Sequence, residues 1–369
     1  MKKLRVAILG QGRSGRDIHA ANLKRMGDRY EITAIVDPLE KRRERAKAEC
    51  GCILYDDYRK LIENKAALAL DLVVNATPSH LHAPITLDLL KNGFNVLSEK
   101  PFARTAAQVD ELIETARENG GTLAIFQQYR YNAAYRELKR IVDSGILGRI
   151  IQVSFQSSGF FRRWDWQTLQ EYNAGSLYNT GPHMTDQLLQ LLSYDGMPDV
   201  RCYMDRVNTF GDAPDYVKLI MTAPGRPVMD LEISCCDAYP RSEYHIQAQF
   251  GGLRGNDSQL EYKYYVRETA PHQHLTREPI EHPDGTPAYC GEKLEWVEKT
   301  WSAAEENATR GKDGYIPGAP AEEPAVSFYT MLYNHMVNGA PLEVTLQQVR
   351  QQIAVIEECH RQNPMSRME

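Results

Sequence analysis

LRVAILGQGRSG, residues 4–15, carries a short apolar run, a GxGxxG spacing over Gly10–Gly15, and a polar stretch that opens a helix. The run Leu4–Leu9 reads as a first buried strand. The turn behind it needs Gly10, close approach of a pyrophosphate to the backbone needs Gly12, and tight packing of helix on strand favours Gly15. Arg13 and Ser14 stand at the start of that helix, where free N–H groups meet phosphate oxygens. Asp37 lies 22 residues after Gly15, at the end of the second strand. A carboxylate there accepts both ribose hydroxyls of an adenosine and repels a 2′-phosphate, which favours NAD over NADP. Arg42 and Arg43 follow it, either to reach such a phosphate or to form a solvated basic face.

Working outward, strand-like runs at Leu4–Leu9, Ile32–Val36, Leu72–Asn75, Asn95–Ser98 and Thr122–Phe126 alternate with helical stretches at Ser14–Met26, Leu39–Glu49, Leu81–Leu90 and Ala106–Glu118. That alternation predicts βαβ units and a doubly wound parallel sheet over residues 1–126. After a helix at Tyr135–Asp143 come RIIQVSFQSSGFF, YVKLIMTAP, PVMDLEISCC, YHIQAQFGG and QLEYKYYVRE. These predict a large, open, mainly antiparallel sheet in a second α+β domain, 127–369. Residues 269–324 read as an irregular excursion, and helices are expected at Ala325–Val337 and Leu346–Cys359, the last packing back on the first domain.

The 369 residues are 42% hydrophobic and 25% charged, with a net charge of −6, a balance that asks for neither nucleic acid nor a membrane surface. MKKLRVAILG is too short an apolar run for a membrane span and leads into GRSGRDIH rather than a cleavage site. Seven scattered cysteines without a CxxC pair read as free thiols of a cytoplasmic protein, and no metal site is expected; His272 and His274 give only a weak metal signal.

Two stretches fall at strand ends, where such sheets bind ligands. In NATPSHLHAP, Thr77 and Pro78 turn the chain over the cofactor, Ser79 caps a helix and His82 takes a minor part. In SEKPF, Glu99 and Lys100 follow a buried strand, and Lys100 is placed to stabilise a developing alkoxide or to remain a solvated loop residue. AGSLYNTGPHMTDQLLQLL, residues 174–192, sets Asn179, His183, Asp186 and Gln190 on one helical face. Near a helix N-terminus the macrodipole keeps His183 neutral, as a base or as a structural histidine. FFRRWDWQTLQEYN, residues 160–173, offers Arg163, Trp164 and Asp165 as a sugar-binding wall or a core-capping loop. Tyr129 and Arg130 sit near the domain junction, beside the nicotinamide, with Tyr131 and Tyr135 as packing residues.

GQGRSG, ATPSHLHAP, the EKP of Glu99–Pro101, QQYRYN with Arg130, GILGRI at Gly145–Ile150 and AGSLYNTGPHMTD occur in order between residues 4 and 192. Together they resemble the glucose–fructose oxidoreductase / inositol dehydrogenase / rhizopine catabolism family, Gfo/Idh/MocA. The resemblance implies a Rossmann domain, a C-terminal sheet used for homodimers or homotetramers, and NAD(P)-dependent chemistry on a secondary hydroxyl of a sugar, cyclitol or glycoside. It assigns Lys100 as catalytic lysine and His183 as catalytic histidine. The family pattern GGxxxDxxxH reads AGSLYNTGPH here, so Ala174 replaces a glycine and Asn179 stands where an aspartate is expected; Asp186 is the candidate for the missing carboxylate. Lys100, Tyr129, Arg163, Trp164, Asp165, Asn179 and His183 form the expected substrate set. Competing readings are an NAD-assisted glycosidase, working by oxidation, elimination and reduction, and a non-catalytic dinucleotide sensor.

Overall fold

A computed structural model describes residues 2–304 and 323–367. The strands are β1 Leu4–Leu9, β2 Tyr30–Val36, β3 Ile53–Tyr55, β4 Leu72–Asn75, β5 Val96–Ser98 and β6 Leu123–Ile125 in one sheet. A second sheet comprises β7 Ile150–Ser158, β8 Asp199–Asp205, β9 Tyr216–Thr222, β10 Val228–Ser234, β11 Tyr244–Ala248, β12 Gly251–Gly255, β13 Gln259–Tyr265 and β14 Trp296–Ser302.

The first sheet is parallel throughout, in the order β3-β2-β1-β4-β5-β6. Helices cover both faces, so β4, β5 and β6 bury every residue and read as continuous apolar runs. The strand order reverses between β1 and β4, and ligands bind such sheets in the crevice that opens there. Gly10 leaves β1 and Ala76 leaves β4 at that crevice.

The second sheet runs β14-β13-β12-β11-β7-β10-β9-β8, antiparallel except for the parallel β7–β10 pair. β8 and β9 alternate buried and accessible residues, as strands with one covered face must. The covered face packs on the helices Ala133–Asp143 and Gly181–Leu191, with Leu138, Leu188, Leu219 and Leu231 in its core.

The fold class is as the sequence led us to expect, with four strands missed, β3, β8, β12 and β14. β3 has only three residues, too few to show a period. β14 lies inside the expected irregular excursion 269–324 and pairs antiparallel with β13 from Gln259–Ser302 to Tyr265–Trp296. Residues 305–322 of that excursion lie outside the described residues. The helix Pro324–Asn338 buries Phe328, Tyr329 and Leu332 in the core of the first sheet. The helix Leu346–Gln362 sends Val349 and Ile353 into that core and Val355, Ile356 and Cys359 into the second. The helix Leu346–Gln362 thereby ties the two cores together. No helix among the described residues is long and apolar enough to cross a membrane.

Candidate active site

The cleft between the sheets has a volume of about 1460 Å³, and its floor is the glycine turn. Gly10 has φ +87°, and a Cβ on it would lie 2.4 Å from the Ala76 carbonyl oxygen. A Cβ on Gly15 would lie 1.9 Å from the Gly10 carbonyl oxygen, so these two positions are closed by backbone. At Gly12 a Cβ would meet nothing nearer than Arg42 at 4.0 Å. The room at Gly12 opens into the cleft, which is the cradle a dinucleotide phosphate requires. The helix behind the turn starts as a wide π segment, Ser14–Ala20, and tightens to α over Ala21–Arg25.

Asp37 ends β2 at the same crevice, with its carboxylate held by the Gln11 N–H at 2.7 Å and the Leu39 N–H at 2.9 Å. Arg42 Nη1 lies 3.4 Å from Asp37 Oδ2 and also lines the cleft. Arg43 turns away and donates to the Asp37 and Pro38 carbonyls. Arg13, Ser14, Thr77, Pro78, His82 and Glu99 are all on the wall. Two of these are committed elsewhere. The ring nitrogens of His82 sit 2.7 Å from the Pro101 carbonyl and 2.8 Å from the Thr77 carbonyl, so His82 ties two loops together instead of presenting a free nitrogen to a cofactor. Glu99 Oε1 receives Ser14 Oγ and lies 3.1 Å from His19 Nε2, while Oε2 accepts the Lys100 N–H. Burial opposes ionisation of Glu99, yet the hydrogen bond and charge of His19, with Lys100 close by, hold its carboxyl below the usual carboxylate range. His19 Nδ1 pairs with the Tyr329 hydroxyl at 2.7 Å, which brings the helix Pro324–Asn338 under the glycine turn.

Lys100 and His183 reach the cleft from opposite sheets. Lys100 Nζ donates to the Asn179 carbonyl at 2.8 Å, leaving donor capacity for a substrate oxygen. Burial and the charges of Arg13 and Arg163 lower its pKa, against the pull of Glu99. His183 follows Pro182 in the first turn of Gly181–Leu191, where proline is tolerated. Its Nδ1 lies 3.0 Å from Gln127 Oε1. Gln127 Nε2 donates to Gln352 Oε1 at 3.0 Å and faces the Pro182 carbonyl at 3.5 Å, and this carbonyl turns the amide oxygen toward the imidazole. Nδ1 therefore carries the proton and Nε2 is the basic nitrogen. Burial, then the charge of Lys100, holds His183 well below the ordinary histidine range, so the ring is neutral. Tyr129 stacks on it, centroids 4.2 Å apart and planes 16° apart.

Besides His82, the structure corrects three expected roles. Asp186 supplies no carboxylate to His183: it forms a bidentate pair with Arg130 at 2.7 and 2.6 Å, and the ring's partner is the neutral amide of Gln127. Arg130 is not on the cleft wall, and its Nη1 donates to Gln348 Oε1 and the Glu343 carbonyl rather than toward a cofactor. Trp164 points out of the cleft, 77% exposed, with its edge against Phe210. Arg163 and Asp165 line the cleft and Trp164 does not. Trp166 lines it instead. Arg163 is itself tethered to Asp165 at 2.7 Å. Asn179 lines the cleft beside Lys100. Gln127 was missed altogether, although it directly precedes QYRYN, and only its spatial partner His183 reveals its role.

A parallel sheet with a phosphate-fitting turn, facing a half-covered sheet that brings a lysine and a neutral histidine into the same cleft, defines a two-domain dinucleotide-binding protein. Residues 4–127 match the oxidoreductase family with an NAD-binding Rossmann fold, and residues 135–254 match the GFO/IDH/MocA C-terminal domain. The chain belongs to the Gfo/Idh/MocA oxidoreductase family. Among its relatives, inositol 2-dehydrogenase of Salmonella typhimurium is 29% identical over 244 residues, 64% of this chain and 69% of that protein. D-glucoside 3-dehydrogenase of Escherichia coli is 29% identical over 54% of this chain and 57% of that protein. Matches to two uncharacterised Schizosaccharomyces pombe oxidoreductases span only 52% and 62% of their lengths. The Bordetella pertussis WlbA dehydrogenase, solved with NADH and UDP-GlcNAcA, shares the fold at a TM-score of 0.74 and 20% identity, covering 100% of this chain and 98% of its own.

Proposed function

We propose that this protein is an NAD-dependent dehydrogenase that oxidises a secondary hydroxyl of a sugar, cyclitol or glycoside. The observation that carries this reading is the tautomer of His183: neutral, its Nδ1–H spent on Gln127, its Nε2 left basic in the cleft that Lys100 and the glycine turn share. Gly10, Gly12, Ser14 and Asp37 would hold the dinucleotide, and NAD, when bound, supplies the hydride acceptor. His183 Nε2 removes the hydroxyl proton, and the Lys100 ammonium stabilises the charge that develops on the oxygen. The amide of Asn179 and the Tyr129 ring shape the substrate's seat. Asp37, on the cleft wall after β2, supports NAD over NADP, since a carboxylate there would repel a 2′-phosphate.

The test is NADH formation from NAD over a panel of inositols, free sugars and glycosides. We expect His183→Ala to lower kcat by about 10²–10⁴-fold with NAD affinity intact. A rate that survives the substitution removes the base from the mechanism; aglycone release without NADH replaces the dehydrogenase by an oxidation–elimination glycosidase.

A further inference from the structure

The end of the cleft beside Tyr129 is built from three separate segments of the second sheet. Glu243 precedes β11, Asp257 lies in the β12–β13 turn, and Gln156 is in β7. All three line the cleft, as does Tyr244. They are held by one another. Glu243 Oε2 accepts the Asp257 N–H at 3.1 Å, Asp257 Oδ1 accepts the Tyr244 hydroxyl at 2.5 Å, and the Gln156 N–H donates to the Glu243 carbonyl at 2.8 Å. Gln156 is only 7% exposed, yet its side-chain amide nitrogen has no hydrogen-bond partner among the described residues. A buried amide without a partner costs about 1–3 kcal/mol unless something satisfies it. The wall next to it offers carboxylate acceptors: Glu243 and Asp257 are both accessible from the cleft, and desolvation and then Asp257 raise the Glu243 pKa.

A hydroxyl group both donates and accepts, so a ring hydroxyl can give its proton to Glu243 or Asp257 while its oxygen takes the Gln156 N–H. A carboxylate has no proton to give and would meet two acidic side chains at close range. The basic groups nearby do not offset this, because Arg163 is tethered to Asp165, Lys100 serves the reacting oxygen, and Arg13 stands at the glycine turn, where a bound dinucleotide's phosphate takes its charge.

We infer that Gln156, Glu243 and Asp257 form a substrate subsite, beside the Tyr129 ring that stacks on His183, that accepts the hydroxyls of a neutral polyol ring and rejects a uronate. This rests on the dehydrogenase reading only for the word substrate; ring binding itself is measurable without turnover. The test is calorimetric titration of the full chain holding NADH with methyl β-D-glucopyranoside, scyllo-inositol and methyl β-D-glucuronide. At least one neutral ring should bind about tenfold or more tighter than the glucuronide, as hydrogen-bonded sites discriminate. Glu243→Gln and Asp257→Asn should each shrink that ratio, with NADH affinity unchanged by fluorescence. The inference is overturned by glucuronide binding as tightly as the neutral rings, by a ratio that neither variant moves, or by binding of none of the three. A neutral ring that binds with this selectivity but yields no NADH from NAD leaves the subsite standing and removes the dehydrogenase reading instead.

Discussion

At the dinucleotide end of the cleft the chain presents backbone: Gly10 and Gly15 close on neighbouring carbonyls, and free amides and an open Gly12 do the rest. At the catalytic end it presents side chains held by other side chains, with Gln352 on Gln127, Gln127 on His183, and Gln348 and Asp186 on Arg130. Backbone sites depend on which residue has no Cβ, and side-chain sites depend on partners brought in from distant segments. The two ends should therefore fail differently when disturbed, and three substitutions of decreasing effect test that.

The largest effect belongs to Arg130, which is mostly buried against the fully buried carboxylate of Asp186. Arg130→Met leaves that carboxylate unpaired, and breaking a buried pair from one side costs about 3–5 kcal/mol. The stability of the whole chain, read by urea denaturation, should fall by that order, and Arg130→Met/Asp186→Leu should recover most of it. A single variant as stable as the parent would show that the clamp is not what holds the catalytic end.

Gly15→Ala disturbs the other end. In an ordinary helix this change stabilises by about 1 kcal/mol. Here the added methyl meets the Gly10 carbonyl oxygen at 1.9 Å and its carbon at 2.8 Å, and both atoms are backbone. Overpacking of this kind costs about 1–3 kcal/mol and moves the turn itself. NAD affinity should fall by about 10- to 100-fold, the same free energy expressed as binding. Binding of the neutral rings in the substrate subsite should change far less. Loss of both together would mean that the two ends are one cooperative unit.

The same contrast governs what could be read from the sequence. The glycine turn and Asp37 were legible because spacing along 34 residues from Leu4 to Asp37 fixes them, and Lys100 and His183 because each sits in a motif of its own. Gln127 to His183, Arg130 to Asp186 and His19 to Tyr329 are separated by more than fifty residues, so no local pattern joins them. Helical spacing put Asp186 near His183 correctly but could not show that Arg130 takes it first. Trp164 was misplaced because composition says that a tryptophan is apolar, and not which way an irregular segment turns it.

Gln127 gives the smallest effect and the most specific one. Gln127→Met removes the acceptor from the Nδ1–H of His183, so the proton is free to sit on either nitrogen and the basic one is no longer assured. The hydrogen bond is worth about 0.5–1.5 kcal/mol, which sets a loss of about tenfold in kcat with KM nearly unchanged. Gln127→Glu restores an acceptor and adds a negative charge beside the ring. That charge favours the imidazolium, so the His183 pKa rises and the acid limb of kcat moves to higher pH. Stability follows the same sign. In the parent the ring resists protonation when folded, while an unfolded histidine titrates near about 6.5, so stability is lost as pH drops below that value. Raising the folded pKa narrows that difference, and Gln127→Glu should lose less stability than the parent between neutral pH and about pH 5. A Gln127→Glu profile superimposable on that of the parent would show that the amide only packs against His183 and does not set its tautomer.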